Sequence, residues 1–76
     1  MKAFVLCKLT SGTEQKALAK VRAIPGIRDV HLTFGHWDAI LAAEADTIDK
    51  LSNLIVREIR NTQGVYDTET LVTTNL

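Results

Sequence analysis

Apolar and polar residues alternate over the first ten positions, then recur at helical spacing, and the same two rhythms return further along the chain. Lys2 to Thr10 sets Ala3, Val5, Cys7 and Leu9 on one side of a strand, with Lys2, Phe4, Leu6 and Lys8 on the other. Both sides carry large apolar groups, the pattern of an inner strand covered twice. Ser11-Gly12-Thr13-Glu14 turns the chain. Ser11 and Glu14 have capping-box spacing, and Thr13 is the alternative cap. A helix is expected from about Thr13 to Ile24, because Ala17, Leu18, Val21 and Ile24 form one apolar stripe with Glu14, Lys16, Lys20 and Arg22 largely outside it. Pro25-Gly26 ends it.

Two strands follow. Ile27 to Phe34 alternates Arg28, Val30, Leu32 and Phe34 against Ile27, Asp29, His31 and Thr33. Trp37 to Ala45 is nearly apolar throughout, which places it centrally beside the first strand. Between them, Gly35-His36 fits a two-residue type II′ hairpin turn, since Gly accepts positive φ at the first central position. Asp46 is the expected N-cap of a second helix reaching about Thr62, with Asp49 in its first turn complementing the helix dipole. Ile48, Leu51, Ile55 and Ile59 form its core stripe, broadened by Leu54 and Val56. Gly64 suits the position after the helix. The last strand, about Val65 to Thr73, sets Tyr66, Thr68, Thr70 and Val72 against Val65, Asp67, Glu69 and Leu71, and is rich in β-branched residues.

The order is βαββαβ in a single domain spanning 1–76. Right-handed crossovers give an α+β, ferredoxin-like architecture: a four-stranded antiparallel sheet in the order 4-1-3-2, with both helices on one face. The opposite face is left uncovered. Whichever face the helices take, the other keeps Phe4 and Leu6 or Val5 and Leu9, with Ile40 or Leu41, and an exposed apolar patch of that kind marks an interface. A dimer formed by stacking two sheets through that face is expected.

Size strengthens this expectation. A chain of 76 residues buries too little apolar surface to be comfortably stable alone, and its one cysteine and scattered ligands offer neither disulfide nor metal as a staple. Nine basic and nine acidic residues give no net charge, so the footprint of a dedicated nucleic-acid binder is missing and direct DNA binding is not expected. The apolar run at Ala3 to Leu9 is short, is interrupted by Lys8 and has no cleavage site after it. No membrane span is expected and a cytoplasmic location fits. Cys7, mid-strand among apolar neighbours, reads as a buried structural thiol.

Candidate chemistry is sparse. His31, His36 and Asp38 are the only metal-ligand candidates, but the turn separates the histidines and no cysteine joins them, so no metal or cofactor is expected. Asp67 with Glu69 reads as a solvated edge, and Arg57 with Arg60 as an exposed helix face. An enzyme of the cofactor-independent monooxygenase type shares the βαββαβ order and would use Trp37, His31 and His36. No base here has an obvious partner, and no catalytic residue is assigned. An RNA-recognition domain would need aromatics on its inner strands, which Phe4 alone does not supply. A heavy-metal chaperone would need a Cys-x-x-Cys after the first strand. An ACT-type regulatory domain shares fold and ligand class and often has Gly after the first strand, as at Ser11-Gly12.

Two stretches carry a closer likeness. Pro25 to Leu41, with Phe34-Gly35-His36-Trp37-Asp38 at its centre, resembles the effector-binding domain of leucine-responsive regulatory protein/AsnC regulators, whose hallmark is a strand, Gly-x-aromatic-Asp and a hydrophobic strand. Gly64 to Val72 resembles that family's closing strand, where Gly-Val precedes a Thr-x-Thr step. The resemblance covers essentially the whole chain. Family regulators carry an N-terminal helix-turn-helix domain, whereas this sequence starts at the first effector-domain strand and so resembles the stand-alone (RAM) form. The likeness implies a non-enzymatic sensor: an α+β sandwich dimer, ring-like assembly of dimers, possible pairing with full-length regulators, and an amino-acid effector held where turns of neighbouring dimers meet. On that basis Gly35, His36, Trp37 and Asp38, with Thr68 and Thr70, are the expected effector-binding residues. Asp38 takes the ammonium, the threonine hydroxyls donate, and Asp38→Ala is expected to abolish binding while the dimer stays folded.

Overall fold

In the computed structural model, which describes residues 1–74, the chain runs β1 (Lys2–Leu9), α1 (Glu14–Arg22), β2 (Ile27–Leu32), β3 (Ala39–Glu44), α2 (Ile48–Asn53) and β4 (Val65–Val72). α2 continues without a break into a π-helical segment, Leu54–Ile59, where the Arg60 amide reaches the Ile55 carbonyl at 3.0 Å. The sheet order is β2-β3-β1-β4 and every pairing is antiparallel, so the two apolar strands lie in the middle. This is the ferredoxin-like arrangement expected from the element order. No helix among the described residues is long and apolar enough to cross a membrane.

The core decides which face the helices cover. Ala3, Val5, Cys7 and Leu9 of β1 pack with Ala39, Leu41 and Ala43 of β3 beneath Ala17, Leu18 and Val21 of α1. Leu51, Leu54, Ile55 and Ile59 complete this core from the second helical segment. Small residues at Ala3, Ala39 and Ala43 let the helices approach the sheet closely, while Leu41, Leu51, Ile59 and Val5 fill the volume. The other face presents Phe4 and Leu6 beside Ile40 and Ala42, with Leu71 of β4 paired to Phe4.

Several local expectations are corrected. Two β-bulges break the strict alternation read from sequence: Ile27 pairs with Ala43 and Asp29 with Ala42, so Arg28 is the extra residue on β2. Ile27 and Val30 therefore both reach the core. Likewise Lys8 pairs with Asp67 and Leu9 with Val65, which leaves Tyr66 over and brings Val65 onto the helix side with Thr68 and Thr70. The cap of α2 is Thr47 and not Asp46, because the Thr47 hydroxyl accepts the Lys50 amide at 3.1 Å while Asp46 faces the Lys50 ammonium at 3.8 Å. No capping box forms at α1. Thr13 holds the N-cap position, and Glu14 reaches back to the Gly12 amide at 2.8 Å. Ile48 and Val56 of the expected core stripe stay 53% and 48% exposed, beside Thr70 and Val72, since the core closes over Leu51 and Ile55 and leaves these two at its border.

Candidate functional site

The connection between β2 and β3 is wider than the two-residue turn its Gly35-His36 pair suggests. Strand pairing stops at Leu32 with Ala39, and Thr33 closes a loop instead: its amide donates to the Asp38 carbonyl at 2.9 Å and its hydroxyl to the Trp37 carbonyl at 2.6 Å. The apolar residues Phe34 and Trp37 extend the strand pattern into this loop, which is why the sequence overstates both strands. Phe34 is in fact fully exposed. Gly35 has φ of +134°, a conformation L side chains rarely adopt, and the space where a Cβ would lie is open.

Asp38 ties this loop to the sheet. Its amide donates to the Cys7 carbonyl and its Oδ2 accepts the Leu9 amide, each at 2.9 Å, so both contacts fall on the end of β1. An ionised carboxylate has about four lone-pair directions on two oxygens, and one bond to Leu9 leaves Oδ1 available. Beside it, His36 and Trp37 meet edge to face with ring centroids 5.2 Å apart. The Lys8 ammonium lies 5.9 Å from the Trp37 ring centre, within cation–π range. The loop thus groups a carboxylate, two rings and a backbone with no side chain at its apex.

Thr68 and Thr70 lie elsewhere. Thr68 pairs with Cys7, which pairs with Ala39, so it stands two strands from the loop, about 10 Å away at ordinary strand spacing. Both threonines occupy the helix side of β4, and Thr70 borders an apolar cleft with Ile55, Val56 and Val72. Within one protomer the structure brings Gly35, His36, Trp37 and Asp38 together, while the two threonines form a separate group. His31 faces away from the helices, paired with Ile40. Among the described residues no three His, Cys, Asp or Glu side chains converge as metal ligands. Cys7 is buried, and desolvation pushes its thiol up to about 11, which removes it as a nucleophile near neutral pH.

Arg57, read from sequence as part of an exposed helix face, lines a groove at the other end of the sheet together with Arg28, Glu44 and Glu58. Arg28, Glu44 and the neighbouring pair Arg57 and Glu58 come from three separate elements, so no local pattern joins them.

Comparison with known proteins agrees with the fold. The family model for the Lrp/AsnC ligand binding domain matches residues 2–75. An uncharacterised HTH-type transcriptional regulator of Pyrococcus furiosus is 34% identical over 73 residues, covering 92% of this chain and 49% of that protein. The chain spans about half the length of the curated relatives it matches. Among solved structures, FFRP-DM1 superposes with a TM-score of 0.92 at 27% identity, over 96% of this chain and 97% of that one. Escherichia coli AsnC gives 0.88 at 26% identity, over 97% and 51% respectively. A Neisseria meningitidis regulator in complex with L-Met shares the fold, with a TM-score of 0.86 at 19% identity over 99% of this chain and 51% of its own. A match running from the first strand to the last, through the Gly-x-aromatic-Asp loop, means that this chain belongs to the Lrp/AsnC family, in which it corresponds to the ligand-binding domain.

Proposed function

We propose that the chain is a non-enzymatic effector-binding domain that senses a free amino acid or a related small metabolite and modulates amino-acid-responsive transcriptional regulators. The observation that carries this reading is the match of residues 2–75 to a ligand-binding domain of regulators. Its relatives bear the names of transcriptional regulators, and a regulator of the same fold binds L-Met.

The loop chemistry suits such an effector. A free amino acid needs an acceptor for its ammonium, donors for its carboxylate and a surface for its side chain. Asp38 Oδ1 supplies the acceptor, and the backbone around Gly35 lies open to a carboxylate because no Cβ shields it. His36 and Trp37 shape the side-chain pocket. Thr68 and Thr70 add hydroxyls from a neighbouring protomer, since within one protomer they lie two strands away.

Self-association completes the proposal. Phe4, Leu6, Ile40 and Leu71 form the apolar strip of the uncovered face, and a second sheet stacked on it buries all four in each protomer. Dimers then assemble into rings that bring loops of neighbouring dimers together. With no net charge, the domain acts on transcription in the cytoplasm through regulators of its family and not by contacting DNA itself. Calorimetric titration of the purified chain against the twenty amino acids tests the reading. One or a few are expected to bind saturably, and twenty flat titrations up to millimolar ligand would refute it.

A further inference from the structure

A broad depression lies at the end of the sheet opposite the 33–38 loop. It occupies about 840 Å³ between the starts of β1 and β2, the end of β3 and the second helical segment. That volume falls inside the roughly 300–1,000 Å³ of small-molecule sites. Ile24, Pro25 and Leu54 give it an apolar floor. Around the floor stand four cationic side chains, Lys2, Arg28, Lys50 and Arg57. Three carboxylates, Glu44, Asp46 and Glu58, are interleaved with them.

These charges are weakly committed to one another. Arg28 meets Glu44 at 3.7 Å and Lys50 meets Asp46 at 3.8 Å, with side chains between 47% and 90% exposed. Exposed pairs at such separations contribute little and exchange readily for a ligand. The side chains of Arg57 and Glu58 have no ion-pair or hydrogen-bond partner among the described residues. They stand on the π-helical segment, a winding that recurs at functional sites.

We infer that this groove is a second small-molecule site, separate from the loop, that takes a zwitterion bearing both a carboxylate and an ammonium. A groove of one sign would select simple anions or cations. Here Arg57, with Arg28 and Lys2 beside it, receives the carboxylate through charge-assisted bonds, and Glu58 with Asp46 receives the ammonium. The hydrocarbon part of the ligand rests on Ile24 and Leu54. The inference goes beyond the proposed loop site and does not depend on it.

Amide NMR of the whole chain, titrated with each of the twenty free amino acids at constant ionic strength, tests it. Saturable shifts are expected at Arg28, Ala45 and Leu54 with at least one amino acid. The N-acetyl and methyl-ester derivatives of that ligand should each bind at least tenfold more weakly, because each lacks one of the two charges. Arg57→Ala and Glu58→Gln alter exposed side chains and should leave the spectrum folded while weakening the groove shifts at least tenfold. Any shifts at residues 33–38 should persist in both variants. Absence of saturable groove shifts with every amino acid would overturn the inference, as would groove binding unaffected by the blocked derivatives or by both substitutions. Shifts confined to 33–38 would support the loop reading and overturn this one.

Discussion

Asp38 is asked to do two things at once, and its two oxygens allow the roles to be separated. Oδ2 satisfies the Leu9 amide at 2.9 Å at the half-buried end of β1, while Oδ1 is the proposed ammonium acceptor. Asp38→Ala removes both functions. The stranded Leu9 amide then costs about 1–2 kcal/mol, the lower part of the range for an unsatisfied buried donor, because the site is only partly shielded from water. For a domain of this size that loss lowers the melting temperature by roughly 4–16 °C. Asp38→Asn keeps an oxygen acceptor for Leu9 and gives up the charge, so its stability should stay within about 0.5 kcal/mol of the parent. Its effector affinity should fall roughly 10- to 150-fold, the equivalent of one charge-assisted bond worth about 1.5–3 kcal/mol. Denaturant unfolding at fixed protomer concentration reads the first effect and calorimetry the second, and the fixed concentration matters because assembly itself adds stability. If Asp38→Asn binds the effector as tightly as the parent, the loop carboxylate is a brace alone. If Asp38→Ala melts at the parent temperature, the Leu9 bond contributes nothing and the reasoning about the brace fails.

Phe4→Lys or Leu6→Lys should shift sedimentation from dimer or larger species toward monomer at micromolar concentration, since each buries an unpaired charge in the proposed interface. A folded monomer in the parent chain would contradict the interface. Burial raises the Cys7 thiol from 9.0 to about 11, so the folded state favours the protonated form. The stability this contributes is fully present below pH 9.0 and is lost as pH rises toward 11, by up to about 2–3 kcal/mol. Unfolding curves at several pH values should show that slope, and Cys7→Ala should flatten it although it lowers stability overall. Gly26→Ala should destabilise by about 2 kcal/mol or more. Gly26 has φ of +100°, and an added Cβ would lie 2.9 Å from the Glu44 carbonyl oxygen and against a Leu54 methyl group. Thermal melts check the direction and size.

Element order and type were legible from the sequence because each depends on a local rhythm. Alternation at β1 and the stripe of Ala17, Leu18 and Val21 are repeated signals within one segment, and two β-α-β crossovers leave few topologies. The Gly-x-aromatic-Asp loop was legible for the same reason, as a compact motif bounded by two apolar runs. What the rhythm could not settle was phase and partnership. Alternation has two equivalent faces, and whether Val5 or Phe4 points to the core depends on which side the helices pack, a choice made by Leu41, Ala43 and Leu51 together. The bulges at Arg28 and Tyr66 shift the alternation by one residue, and they exist to fit one strand against another, so they appear only when both strands are in place. The winding of Leu54–Ile59 and the choice of Thr47 as cap are further local outcomes that the fold decided. Most of all, distance belongs to the tertiary structure. It holds Thr68 and Thr70 two strands from the Asp38 loop, and it gathers Arg28, Glu44, Arg57 and Glu58 around one groove although they lie up to thirty residues apart in sequence. A chain's local chemistry can be read in order, but which side chains share a site is set by packing between elements.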